Sequence, residues 1–359
     1  MDPNTMCSSE SAGFADHRIA MLLQPAQQDG RRYVNSVPTN VGGLSTLFKV
    51  GPRFFLGTKA RSPRGPLGPF HTDATAYATP PPSGLRITWM GHATSIIEID
   101  GVRILIDPVW DKRASPTTWS GPKRFFPAPL ELSELPTINA VIVSHDHYDH
   151  LGADTIRRLA RLAAVERATW ITPLGVGGLL KRFGVSAAQC LELNWMDSTQ
   201  VGAVQLTALP ARHFSGRSLF NRFETLWASF ALAGPQHRLY YGADSGEWPG
   251  FHEIGAQFGP FDLAMLEIGA FDPLWADIHM GPEGAVRSFH ALGEHLNGHL
   301  REQGLFMPIH WGLFDLALHH WRQPIEKIWL VEGLKLWSPT PGVPSDVTAG
   351  EELRSEWWR

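Results

Sequence analysis

Residues 144–152 read Ser-His-Asp-His-Tyr-Asp-His-Leu-Gly, which puts His145, His147, Asp149 and His150 within six positions. Imidazole nitrogens and carboxylate oxygens together suit zinc and similar borderline metals. The short apolar run Ala140 to Val143 comes just before and predicts a buried strand that ends where the histidines begin. On a loop after a strand, side chains two apart point in related directions. His145 and His147 can therefore grip one ion while Asp149 and His150 face another. An ordinary polar surface loop has no need to gather three imidazoles and two acids in one place.

Such a cluster needs a scaffold, and the composition can supply one. The chain has 359 residues, 43% hydrophobic and 18% charged, which allows a sizeable core and excludes global disorder. With 35 glycines and 28 prolines the fold should be rich in loops. A net charge of −4 argues against a basic nucleic-acid binder, so no nucleic-acid partner is expected. Apolar runs fall short of the roughly 18 residues that a membrane-spanning helix needs. The N-terminus, with its acids and no long apolar stretch, does not read as a secretory signal. Cys7 and Cys190 are the two cysteines, which excludes a disulfide scaffold and fits a reducing compartment. The expected location is cytoplasmic, with peripheral membrane association as a variant.

Residues 1–84 read as an extended Pro-rich arm, disordered at its start, and 341–359 as a C-terminal tail. The catalytic domain is expected over 85–340. Strands are predicted at Arg86 to Met90, Thr94 to Ile99, Val102 to Ile106, Thr169 to Ile171, Val204 to Leu209, Leu226 to Leu232, Arg238 to Gly242, Leu263 to Ile268 and Leu305 to Ile309. Helices are predicted over Ala153 to Ala164, Leu174 to Phe183, from Pro282 to about Leu296, and from Pro324. Strands with interleaved helices imply a layered α/β domain.

His-x-His-x-Asp-His-Leu-Gly after a short apolar strand resembles the signature of the metallo-β-lactamase superfamily. The resemblance extends from about Leu85 to about His320 and implies a four-layer αββα sandwich with metals at one edge of its sheets. His213, Asp244 and His310, each after a predicted strand, match ligand positions of that family. The resemblance assigns His145, His147 and His213 to one metal and Asp149, His150 and His310 to the other, with Asp244 bridging. Two Zn2+ ions are implied, with another divalent metal such as Mn2+ as the alternative. Such a pair lowers the pKa of a shared water from 15.7 towards about 7, giving a hydroxide for attack. Asp107 and His92 are candidates to orient ligand imidazoles from behind, and Asp146 to pack the loop. Cys190 matches no ligand position and reads as buried and structural. A bridging carboxylate without a cysteine ligand favours a two-metal hydrolase over the antibiotic-cleaving branch.

Further segments narrow the resemblance: Trp89 to Thr94, Ala211 to Phe214, Gly242 to Gly246, Ile268 to Phe271 and Ile309 to Gly312. Together they are similar to the N-acylphosphatidylethanolamine-hydrolysing phospholipase D family. That implies a zinc phosphodiesterase releasing phosphatidic acid and N-acylethanolamine, and a homodimer. A lactonase for a sugar phosphate is the alternative. The family has an active-site histidine at the position of His279, which with Asp244 is the candidate for catalysis. A phospholipid substrate calls for membrane contact, and Trp110, Trp119, Lys123, Arg124, Phe125 and Phe126 combine cations with aromatic rings. The stretch Lys49 to Phe70 reads either as a linker or as a contact for anionic headgroups. Trp357-Trp358-Arg359 either adds to that contact or is inert.

Overall fold

A computed structural model describes residues 22–43, 53, 60–218, 220–294 and 304–359. The start of the arm, Lys49 to Lys59 apart from Arg53, and Leu296 lie outside the described residues; the helix expected to reach Leu296 ends at Gly293, where Glu294 takes extended backbone. A ribbon of β1 (Gln28–Asp29) and β2 (Arg32–Tyr33) comes first. Then follow β3 (Leu85–Gly91), β4 (Thr94–Ile99), β5 (Val102–Ile106), β6 (Ala140–Ile142), β7 (Thr169–Pro173) and β8 (Cys190–Leu193), with α1 (Ala153–Leu159) and α2 (Gly177–Arg182) around β7. The second half carries β9 (Ser198–Val201), β10 (Val204–Leu209), β11 (Ser229–Ala233), β12 (Arg238–Tyr241), β13 (Leu263–Glu267) and β14 (Leu305–Ile309). Its helices are α3 (Gly250–Phe258), α4 (Gly281–Gly293) and α5 (Gln323–Trp329). Short strands β15 (Trp337–Ser338), β16 (Ser345–Asp346) and β17 (Leu353–Arg354) end the chain.

Two sheets result: seven strands in the order β16-β3-β4-β5-β6-β7-β8 and six in the order β14-β13-β12-β11-β10-β9. Side chains alternate across the first sheet, as the strand period requires. Ile97, Ile99, Ile104 and Ile106 enter the core shared with the second sheet, where Leu206, Phe230, Leu239 and Met265 meet them. Ile96 and Leu105, on the opposite face, pack with Ile156 and Leu159 of α1 and Leu180 of α2. On the far side of the second sheet, Phe251 of α3 meets Tyr240 and Phe289 of α4 meets Phe306. The architecture is an αββα sandwich. Gly255 of α3 lies where a Cβ would strike the backbone of Leu292 in α4, so these helices touch through a glycine.

The parallel stretches matter most for the site. Strands β5, β6 and β7 are parallel neighbours, and so are β12, β13 and β14. Parallel strands end at one edge, so the residues following β5, β6, β12 and β14 meet there.

Several elements differ from expectation. The helix from Ala153 stops at Leu159 because Leu162 takes extended backbone, φ −90° and ψ 138°. Residues 226–228 are not part of β11. They bridge to the first half instead: Leu226 N–H donates to Leu174 O (2.8 Å) and Ala228 N–H to Ser144 O (3.0 Å). Strands β8 and β9 and helix α3 were not expected; the Pro-Gly start and internal glycine of α3 disguise it. Cys190 lies half-buried in β8. The C-terminal residues are built into the sandwich: β16 pairs with β3, Trp357 stacks on Trp311 (5.0 Å between ring centres), and Trp358 is only 2% exposed. Neither tryptophan is inert, and burial leaves Trp358 unable to touch lipid.

Trp358→Ala should cost about 3–5 kcal/mol, the usual range for emptying a buried tryptophan site. Urea unfolding reads it, and an unchanged midpoint would mean that Trp358 does not anchor the C-terminal residues against Trp329 of α5.

Candidate active site

The loop after β6 turns tightly, with the N–H groups of His150 and Leu151 both donating to His147 O (3.1 and 2.8 Å). That turn sends the side chains of 145, 147, 149 and 150 to the shared strand edge. Three overlapping groups of potential ligands form there among the described residues, each with donor atoms within 4.8 Å of one another: His145, His147, His213 and Asp244; His92, Asp149, His150 and His310; and Asp244, Glu267, His279 and His310. Asp244 spans the first two groups, with Oδ2 3.7 Å from His213 Nε2 and 3.1 Å from His310 Nε2, and Oδ1 3.2 Å from His150 Nε2. The seven residues singled out as ligands in the sequence therefore converge on one spot. His92 stands within the second group and not behind it, its Nε2 2.9 Å from Asp149 Oδ2.

Asp107 organises this cluster from below. It accepts hydrogen bonds from Ser144 N–H (2.7 Å), Ser144 Oγ–H (2.6 Å), His150 Nδ1 (2.6 Å) and Tyr241 O–H (2.5 Å). Because the Ser144 hydroxyl gives its proton to Asp107, its oxygen accepts from His145 Nδ1 (3.0 Å). His213 Nδ1–H donates to Ile278 O (2.9 Å). These bonds fix the tautomers of His145, His150 and His213 and leave a lone pair on each Nε2. Tyr241 went unnoticed in the sequence, where an aromatic at the end of a buried strand gives no signal. The backbone is held in an uncommon state here: Asp107, His92, Ala243, Ala270 and His310 all have positive φ, between 41° and 62°. Each costs of the order of 1–3 kcal/mol and persists only where the surroundings impose it.

The electrostatics are uneven. Burial, reinforced by neighbouring imidazoles, holds His145 and His213 well below the usual histidine range, and burial also lowers His147. Burial with the nearby His310 brings His92 down to about 3. Burial opposes charge on His150 and His310 too, but Asp244 and Asp149 outweigh it, raising His150 and pushing His310 up to about 10. Burial would raise Asp149 and Asp244, yet the histidines, His150 foremost, hold both well below the carboxylate range.

These residues fit a metal pair. His145 Nε2 and His213 Nε2, each a lone pair, both face His147 Nδ1, at 2.9 and 3.3 Å. One proton cannot serve both; a cation can. His150 Nε2 and Asp244 Oδ1 are buried and face each other at 3.2 Å without forming a well-aligned hydrogen bond. Nitrogen and oxygen donors without a thiolate suit zinc or manganese.

Around this centre, Asp146 accepts from Gly216 N–H (2.6 Å) and ties the loop to its neighbour. His279 Nδ1 meets Glu267 Oε2 (2.7 Å), and its ring lies against those of His213 and His310, both 5.2 Å away. Glu267 was not anticipated. Its signal was the one that marked Asp107, a lone acid closing an apolar strand.

The loop 110–126 corrects the sequence reading at three of its six residues. Trp110 and Phe126 are buried, and Trp110 Nε1–H donates to Leu130 O (2.6 Å). Arg124 is buried as well, its guanidinium donating to Phe126 O and Val109 O, and burial pulls it down to about 10. None of these three can touch a membrane. Phe125 is half-buried, whereas Lys123 is exposed and Trp119 is 79% exposed. No helix among the described residues is long and apolar enough to cross a membrane.

Residues 102–311 match the sequence model of the beta-lactamase superfamily domain. An uncharacterized protein of Mycobacterium tuberculosis is 45% identical over 280 residues, 77% of this chain and 72% of that protein. The N-acyl-phosphatidylethanolamine-hydrolyzing phospholipase D 1 of Caenorhabditis elegans is 37% identical over 257 residues, 68% of this chain and 69% of that one. Among solved structures, isothiocyanate hydrolase from Delia radicum gut bacteria superposes with a TM-score of 0.59 at 17% identity, covering 74% of this chain and all (100%) of that one, a likeness of fold. The chain belongs to the metallo-β-lactamase superfamily and is a metal-dependent hydrolase of that fold.

Proposed function

We propose that the chain is a dinuclear zinc phosphodiesterase that cleaves N-acylphosphatidylethanolamine-type phospholipids to phosphatidic acid and N-acylethanolamine. The observation that carries this reading is the pair of adjoining ligand groups spanned by Asp244. Similarity to the nematode phospholipase D supports the substrate class.

In this reading His145, His147 and His213 hold one ion, Asp149, His150 and His310 the other, and Asp244 both. Two bound ions supply Lewis acidity at the phosphoryl oxygens and lower the pKa of a water from 15.7 towards about 7. The chain's own residues do the rest. Asp107 keeps the His150 proton on Nδ1, so Nε2 stays free as a donor atom. The side chain of His279 is 14% exposed and has Nδ1 occupied by Glu267, so Nε2 is the nitrogen available to a scissile phosphodiester. Trp119 and Lys123 are the residues proposed to meet the membrane, the ring at the interface and the ammonium at anionic headgroups.

Zinc-loaded protein should release phosphatidic acid from N-acylphosphatidylethanolamine, and Asp244→Asn should abolish that release. Zinc binding with cleavage of a sugar-phosphate lactone and of no phospholipid would sink the lipid assignment. Asp107→Ala should weaken zinc binding about 10–100-fold, measured by competition with a chelator. An unchanged affinity would remove Asp107 from the metal centre. Vesicle sedimentation tests the membrane contact: Trp119→Ser with Lys123→Ser should lower binding to anionic vesicles while hydrolysis of detergent-dispersed lipid persists. Equal sedimentation would move the contact elsewhere.

A further inference from the structure

Glu267 ends β13 fully buried; neither proposed metal-binding set uses it, although its carboxylate lies within 4.8 Å of ligand atoms of Asp244, His279 and His310. A buried carboxylate is costly unless it is paired and hydrogen-bonded. Both of its oxygens are engaged. Oε1 accepts from Met280 N–H (2.9 Å), at the entry to α4, and Oε2 meets His279 Nδ1 (2.7 Å). The same short segment is held from the other side, where Ile278 O accepts from His213 Nδ1–H (2.9 Å). The loop bearing His279 is therefore clamped between a rigid strand of the second sheet and a residue of the metal centre. Glu267 Oε2 also stands 3.6 Å from His310 Nδ1, a buried nitrogen with no hydrogen bond. One carboxylate thus adjoins both the metal centre and the histidine at its mouth.

We propose that Glu267 is a positioning residue for His279: its carboxylate takes the Nδ1 proton, fixes the ring and presents Nε2 to the reacting group. Glutamate suits the place because it offers separate acceptor oxygens to the imidazole and to Met280 N–H, which it shares with Ser245 O (3.2 Å). Glutamine has a single acceptor oxygen. With its amide N–H2 towards the ring, it calls for the opposite tautomer of His279. Glu267 would act through His279, as the carboxylate behind a catalytic imidazole does in hydrolase triads. The substrate of the test rests on the phosphodiesterase reading; the tautomer does not.

The test uses the zinc-loaded full chain with N-acylphosphatidylethanolamine in mixed micelles, comparing wild type, Glu267→Gln, His279→Gln and the double variant. Glu267→Gln should lose about 10–100-fold in kcat, with KM and zinc content unchanged. Added to His279→Gln it should cost nothing more, because both changes remove one function. Nitrogen-15 spectra of histidine-labelled protein should show the His279 proton on Nδ1 in the wild type and a changed tautomer in Glu267→Gln. Additive losses, or zinc lost with Glu267, would overturn the proposal and make Glu267 a structural or metal-binding residue. A wild-type His279 carrying its proton on Nε2 would overturn it without any variant. Wild type that cleaves no phospholipid but shows the Nδ1 tautomer would refute the phosphodiesterase reading and leave the role of Glu267 standing.

Discussion

Burying five imidazoles and two carboxylates against one another is the constraint around which this molecule is built. His145, His150, His213, His310 and Asp244 are almost wholly shielded from water, with His147 and Asp149 at the mouth. Ionisable groups rarely survive such burial without a counter-charge and a full set of hydrogen bonds. Asp107, Ser144, Tyr241 and Ile278 supply the hydrogen bonds from behind, each from a strand end or an adjoining loop. The sandwich makes this arrangement rigid. Two sets of parallel strands end at one edge, and their apolar interiors leave the ends no freedom to withdraw. The positive φ angles at Asp107, Ala243 and His310 are the local cost, met by the packing of the sheets beneath.

The metal-binding cluster was legible because its chemistry is local in sequence. Three imidazoles and a carboxylate within six positions, just after a buried strand, suit a metal ion and little else. His213, Asp244 and His310 were legible through the family resemblance, each following an apolar run at a position that matches a ligand of that family. Glu267 follows the same rule and was still missed. Its partners, His279 and Met280, come from a loop whose path no periodicity reveals. Tyr241 was harder still, since an aromatic in a buried strand looks like core until its hydroxyl is seen on Asp107.

The loop 110–126 shows the opposite failure. Its mixture of cations and rings is what a membrane contact has, and also what a well-packed cover has. Composition cannot tell a guanidinium facing water from one that donates to backbone carbonyls. Arg124 is of the second kind, and the carbonyls of Val109 and Phe126 take up its donors. The terminal tryptophans were open to two readings for the same reason. Trp357 joins an aromatic stack with Trp89 and Trp311, and Trp358 meets Trp329 edge-on, contacts that no local pattern announces. Long-range packing decides exposure, and a single sequence carries little of it.

Charge balance gives the proposed metal centre its last support. Asp107, Asp149, Asp244 and Glu267 place four carboxylates within and directly behind the cluster. The carboxylates raise His150 and His310, whereas burial lowers His145 and His213. Two divalent cations would offset all four negative charges and allow every imidazole to be neutral, the form in which imidazole binds metal. The candidate ligands come from both halves of the sandwich: His145, His147, Asp149 and His150 follow β6 of the first sheet, whereas His213, Asp244 and His310 follow strands of the second, so neither sheet alone can complete the site.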